Sequence, residues 1–137
     1  MRVVLDTNIL VSALITSGTP PHRIYEAWRQ GRLELLCCAA QLHEVREVTR
    51  RVAVRLRIRP AEAGRMVNDL RALSRWVDAL PAVRRSPDPA DDYLLALAQA
   101  GAAQAIVTGD KSGLLDLARH AGAEIVSART FVDRHLS

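Results

Sequence analysis

Strands alternating with helices over 137 residues predict an α/β domain built on a parallel sheet covered on both faces. Three observations carry that expectation. Val3-Val4-Leu5 and Ala105-Ile106-Val107-Thr108 are short apolar runs of the kind buried between helices. The segments between such runs repeat their apolar residues every three or four positions, as helices with one inward face do. The composition, 49% hydrophobic and 25% charged, fits one soluble domain with its own core, and no repeat, low-complexity tract or linker divides residues 1–137.

The elements follow in order. The first strand, Val3 to Leu5, stops at Asp6, and Thr7 or Asn8 is placed to cap a helix running to Leu14 or Ile15. Ser17-Gly18-Thr19-Pro20-Pro21 leads into a second helix with Ile24, Ala27 and Trp28 on one face and Gln30-Gly31 as its stop. Leu33 to Cys38 is the second strand. From about Ala40, the residues Leu42, Val45, Val48 and Val52 form one stripe of a third helix, with Arg46, Arg50 and Arg51 off it. Pro60 opens a further helix marked by Met66, Leu70, Leu73 and Val77, and Val77 to Val83 is a candidate short strand. Ser86-Pro87-Asp88-Pro89 breaks the chain before a Leu- and Ala-rich helix, Tyr93 to Ala103. The strand at 105–108 follows, Gly109-Asp110-Lys111 turns into Leu114-Leu115-Leu117, and Ile125-Val126 is a last strand ahead of a terminal helix with Phe131 and Val132.

Composition narrows the partners. Nineteen Lys and Arg against fifteen Asp and Glu give a net charge of +4, which permits a polyanionic partner without demanding one. Two Trp, two Tyr and one Phe are too few for a base-stacking platform, so phosphate is the handle for any nucleic acid. The adjacent Cys37 and Cys38 make no disulfide framework, and neither Cys-x-x-Cys nor clustered His offers a zinc site, so a reducing, cytoplasmic home is expected. The apolar stretch from Ile9 to Ile15 is too short to cross a bilayer, and neither a targeting segment nor a membrane role is expected.

Acids placed just after strands are the first candidates for chemistry, because ligands of an open parallel sheet bind outside the carboxyl ends of its strands. Asp6 follows Val-Val-Leu and Asp110 follows Ala-Ile-Val-Thr-Gly, so both should emerge at one edge. In Asp88-Pro89-Ala90-Asp91-Asp92, Asp88 is placed as a helix cap and Asp91 as the acid of a capping box, which leaves Asp92 without a structural duty. Glu44 projects from the edge of the third helix's buried stripe and Glu47 lies nearby, placed to pair with Arg51; helical geometry alone does not separate the two. Carboxylates gathered at one sheet edge repel each other, and a divalent cation relieves the repulsion. Oxygen-only ligands fit Mg²⁺ or Mn²⁺, and such a site suits phosphodiester hydrolysis.

These residues together resemble a known family. Val3-Val4-Leu5-Asp6-Thr7-Asn8-Ile9-Leu10-Val11-Ser12, Glu44 on the third helix, Asp88-Pro89-Ala90-Asp91-Asp92, and Val107-Thr108-Gly109-Asp110-Lys111 are similar, in that order and spacing, to the PIN-domain family, and within it to the VapC-type ribonucleases of bacterial toxin–antitoxin systems. The resemblance implies a three-layer α/β/α sandwich, a Mg²⁺- or Mn²⁺-dependent endoribonuclease acting on RNA, a homodimer, and inhibition by a cognate antitoxin. It places the four catalytic and metal-holding acids on Asp6, Glu44, Asp92 and Asp110, with Asn8 supporting the Asp6 loop and Thr108 the Asp110 turn. Two departures stand out. Cys38-Ala39 replaces the Ser that often precedes the third helix, and Lys111-Ser112-Gly113 lacks the further acid many relatives carry, so one cation with a transient second is expected. His22, His43, His120 and His135 are scattered, and only His43 neighbours a site acid. The series Arg46, Arg50 and Arg51 with Arg84 and Arg85 is placed either to follow RNA phosphates or to meet an acidic antitoxin. The competing readings are a PIN-like module that binds RNA or protein without cutting, and a flavodoxin-like phosphoacceptor domain, which would need a further acid ending a central strand that Leu33 to Ala40 does not supply.

Overall fold

A computed structural model describes residues 1–109 and 113–137. At its centre lies β1 (Arg2–Leu5), where Val3, Val4 and Leu5 are fully buried. It pairs in parallel with β2 (Glu34–Cys37) on one side and β4 (Ala105–Val107) on the other. The sheet continues from β2 to β3 (Arg75–Trp76) and from β4 to β6 (Ala123–Val126), both in parallel, and ends on β5 (Arg119–His120), antiparallel to β6. The resulting order is β3-β2-β1-β4-β6-β5.

Strand periodicity sorts the core into two layers of side chains. Val3, Leu5, Leu35, Cys37, Ala105 and Val107 point to one face. There they meet α1 (Thr7–Ile15), α2 (Pro20–Arg29), α3 (Ala39–Arg50), α5 (Pro60–Leu73) and α7 (Ala128–His135). Val4, Leu36 and Ile106 point to the other face, covered by α6 (Asp92–Ala100) together with Leu114, Val77, Leu80 and Val83. Helices therefore flank the sheet on both sides, in the expected three-layer sandwich. Among the described residues no helix is long and apolar enough to cross a membrane.

Several boundaries differ from the sequence reading, each for a local reason. Asp6, rather than Thr7 or Asn8, caps α1, its side chain accepting from the Asn8 amide. The third helix ends at Arg50 because Arg51 is extended, so Val52 leaves the buried stripe and, 72% exposed, begins the short α4 (Val52–Arg55). The expected strand at 77–83 is irregular; the paired residues are Arg75 and Trp76 just ahead of it, and a last bond runs from the Val77 amide to Cys37 O. Pro81 has no amide to offer a ladder, while Val77, Leu80 and Val83 still pack inward. The Leu- and Ala-rich helix ends at Ala100, short of Ala103, because Ala102 takes a left-handed φ of 52°. The edge strand β5 was not foreseen; a two-residue turn, Ala121 (φ 47°) and Gly122 (φ 85°), folds it back onto β6.

This order matters for the site. The connections from β1 through β2 to β3 run over one face, then the chain crosses at residues 77–91 and reaches β4 through α6 on the other. The direction of winding thus reverses between the two neighbours of β1, which leaves a crevice beyond the ends of β1 and β4.

Where α6 ends, a Cβ added at Gly101 would lie 2.5 Å from Leu36 Cδ1, and Leu36 is fully buried in the central layer. Gly101→Ala should therefore lower stability by about 1–3 kcal/mol in denaturant melts, with part of the loss recovered when Leu36→Val makes room; an unchanged midpoint would contradict this packing.

Candidate functional site

The site starts from Asp6, one residue beyond the central strand and only 6% exposed. Its backbone amide bonds to Val107 O at 2.9 Å, continuing the β1–β4 ladder past the strand ends. One carboxylate oxygen accepts from the Asn8 amide at 3.3 Å, and the other from the Thr108 hydroxyl at 2.8 Å. Burial pushes the Asp6 carboxyl above the ordinary carboxylate range; the Thr108 hydroxyl and the Asn8 amide oppose the shift, and the charge of Glu44 adds to it. Thr108 thus supports Asp6 directly, across the crevice. Asn8 contributes its backbone, while its side chain is exposed and makes no hydrogen bond among the described residues.

Glu44 is brought to Asp6 by α3. The helix is tied to the sheet by the fully buried Gln41, whose Nε2 donates to Leu5 O. One turn later, Glu44 Oε1 accepts from the Thr7 hydroxyl and, at 2.6 Å, from the Tyr93 hydroxyl. Tyr93 stands in the first turn of α6, and burial together with its bond to Glu44 raises its phenol well above the ordinary value, so it remains a donor. Glu47 and His43 face elsewhere: exposed on α3, they pair with each other at 3.1 Å, and Glu47 does not take the expected Arg51. Cys38 caps α3 without a side-chain bond, as its lack of a hydroxyl predicts.

The two adjacent aspartates have different surroundings. Asp92, preferred in the sequence reading because capping would occupy Asp91, turns away from Asp6: its Oδ1 accepts from the amides of Arg85 at 3.0 Å and Ser86 at 2.7 Å. Those amides hold it below the ordinary carboxylate range. Asp91 is the acid that shares the field of the cluster. Its pKa is pushed up to about 6, first by burial and then by the charges of Asp6, Asp88, Glu44 and Asp92. The reason lies in the backbone. Asp88 does cap, accepting from Ala90 N at 3.0 Å, but it caps a single 3₁₀ turn, Pro89–Asp91, before α6 begins. In that tighter turn Asp91 makes no capping bond, while the preceding loop occupies Asp92. The fourth expected acid, Asp110, lies outside the described residues.

Oxygen donors of this kind suit a hard divalent cation. Asp6 and Asp91 are both raised partly by like charge, the condition a cation relieves, and Glu44 keeps Oε2 without a hydrogen bond among the described residues. Among those residues, however, no three His, Cys, Asp or Glu side chains are grouped closely enough to hold a metal ion by themselves. The arginines fall into two groups. Arg84 and Arg85 line a cleft of about 620 Å³ with Ser86, Pro89 and Asp92. The Arg85 guanidinium donates to Arg119 O at 2.6 Å. Arg46 and Arg50 border a separate cleft of about 290 Å³ between α3 and α5, and Arg51 is exposed at the junction of α3 and α4. Thr7, Gln41 and Tyr93 were not foreseen as site residues. The available signal was their chemistry: polar side chains at the head of a helix or on an apolar face need a partner when buried.

The raised carboxyl of Asp91 sets a pH dependence. Its folded value is about 6 against an ordinary 3.8, so between these values the folded form holds more protons than the unfolded chain. Its contribution to stability therefore falls as pH rises through that range. With divalent ions chelated, Asp91→Asn should flatten this part of the melting-temperature profile and raise the melting temperature by a few degrees at pH 7.5; a lowered one would show that Asp91 is not under repulsion.

Comparison with known proteins identifies the family. A family model described as PIN domain matches residues 2–112, a span that contains Asp6, Glu44, Asp91 and Asp110. A comparison with curated proteins found no match. PIN domains are generally nucleases and usually use divalent metals. With its mostly parallel six-stranded sheet and this match over most of its length, the chain belongs to the PIN domain family.

Proposed function

We propose that the chain is a Mg²⁺- or Mn²⁺-dependent endoribonuclease that hydrolyses RNA phosphodiesters and serves in the cytoplasm as the toxin of a toxin–antitoxin pair. The observation that carries the reading is the gathering of Asp6, Glu44 and Asp91, delivered to one crevice by β1, α3 and the turn before α6, where the charge of Glu44 acts on Asp6 and the charges of both act on Asp91. Like charges held together in a folded protein are tolerated where a cation neutralises them.

Asp6, Glu44 and Asp91, with Asp110 as the proposed fourth, would hold the ion. When bound, it supplies a lowered pKa for water and charge neutralisation at the phosphate. The chain's own groups fix the rest. Thr108 and the Asn8 amide orient Asp6, and Thr7 and Tyr93 orient Glu44. Asp91, whose carboxyl is raised to about 6 in the metal-free chain, must lose its proton to a bound cation, so affinity for the ion should rise with pH through that value. Arg84, which has no ion-pair partner among the described residues, together with Arg85, Arg46, Arg50 and Arg51, would contact phosphates, in keeping with a chain poor in aromatics. The antitoxin and the homodimer belong to the same proposal. Supporting a protein partner are Val52 and Leu56, 72% and 82% exposed and flanked by Arg51, Arg55 and Arg57, a surface suited to an acidic amphipathic segment.

Cleavage of structured RNAs in Mg²⁺ or Mn²⁺ tests the reading. Asp6→Asn and Asp91→Asn should each reduce the rate by roughly 100-fold or more, since even supporting residues of metal sites cost about 10–100-fold. Asp92→Asn should cut within a few-fold of wild type. Equal slow cleavage by wild type and Asp6→Asn would overturn the nuclease reading in favour of a module that binds RNA without cutting it. Growth arrest on induced expression, relieved by Asp6→Asn, tests the toxin role.

A further inference from the structure

We infer that Tyr93 and Thr7 set the metal selectivity of the acidic cluster by committing one oxygen of Glu44 to hydrogen bonds, so that the residue ligates through the other alone; this presupposes the metal-dependent function proposed above. Both hydroxyls converge on Glu44 Oε1, Tyr93 at 2.6 Å and Thr7 beside it. Each hydroxyl has a single proton, and the two oxygens stand 3.4 Å apart, too long for a good O–H···O bond between them. Both protons therefore lie on Glu44. Two donors occupy the lone pairs of Oε1, while Oε2 accepts no hydrogen bond among the described residues.

Asp6 repeats the arrangement. Its Oδ2 accepts from the Thr108 hydroxyl at 2.8 Å, whereas Oδ1 accepts the longer 3.3 Å hydrogen bond of the Asn8 amide. In each acid a hydroxyl takes one oxygen; the second oxygen of Glu44 accepts no hydrogen bond among the described residues, and that of Asp6 accepts the long Asn8 bond.

The consequence for ion choice is chemical. Mg²⁺ requires near-octahedral geometry with short bonds and takes one oxygen from each carboxylate, whereas Ca²⁺ accommodates more ligands and readily takes both oxygens of one. A carboxylate with a blocked oxygen suits the first ion and handicaps the second. Tyr93 is a positioning residue here, acting through Glu44.

The test needs neither RNA nor catalysis. Mn²⁺ binding to the full chain is followed by electron paramagnetic resonance of the free ion, with Mg²⁺ and Ca²⁺ as competitors. Wild type should release Mn²⁺ to Mg²⁺ more readily than to Ca²⁺. Tyr93→Phe removes only the phenolic oxygen and should raise the relative effectiveness of Ca²⁺ by about tenfold, the scale of one hydrogen bond to a charged group, with Thr7→Val shifting it in the same direction. A loss of affinity equal for all three ions would show that Tyr93 merely supports the fold, and would overturn this inference while leaving the function standing. Absence of Mn²⁺ binding in wild type would overturn both. If Tyr93→Phe fails to fold, Thr7→Val decides the matter.

Discussion

A carboxylate 6% exposed at the end of the central strand is the constraint around which this molecule is arranged. Asp6 cannot sit there as an anion without donors, and the two whose hydrogen bonds it accepts among the described residues come from different elements: the Asn8 amide opening α1, and the Thr108 hydroxyl ending β4. The first makes α1 start where it does. The second links the two strands that flank the switch point. Burial still wins over both donors, and the carboxyl stays above its ordinary range.

From that anchor the remaining groups fall into two kinds. Gln41, Thr7, Tyr93 and Thr108 are donors buried or half-buried at strand and helix ends, and they restrict where the acids can point. Glu44 and Asp91 bring charge into the same crevice, at a cost in repulsion borne most visibly by Asp91. Asp92, its immediate neighbour, belongs to neither kind; it organises the loop that carries Arg84 and Arg85. Adjacent aspartates thus divide the labour between charge and backbone order.

Much of this was legible beforehand. The short apolar runs at Val3 to Leu5 and at 105–107 announced the sheet, and the position of Asp6 directly after a strand announced the crevice. Pro60 and Pro89 opened the helical turns at which they were placed. What escaped was short-range and conformational. The left-handed Ala102 and Ala121 carry no compositional signal, because alanine seldom adopts that backbone, and they decided where α6 ends and that β5 exists. Likewise Val52 fits the helical stripe by spacing and departs from it only because Arg51 is extended.

By itself the sequence determined the fold class, the position of Asp6 at the end of a buried strand and the family resemblance that singles out Glu44 on the third helix, because periodicity, residue chemistry and motif spacing can be read along the chain. Only the tertiary structure gave Asp91 and Asp92 their different surroundings and assigned partners to Glu44. Those choices hang on a 3₁₀ turn in place of a helical one and on a phenol that arrives from 49 residues away, and contacts of that kind exist only once the sheet has brought β1, α3 and α6 together.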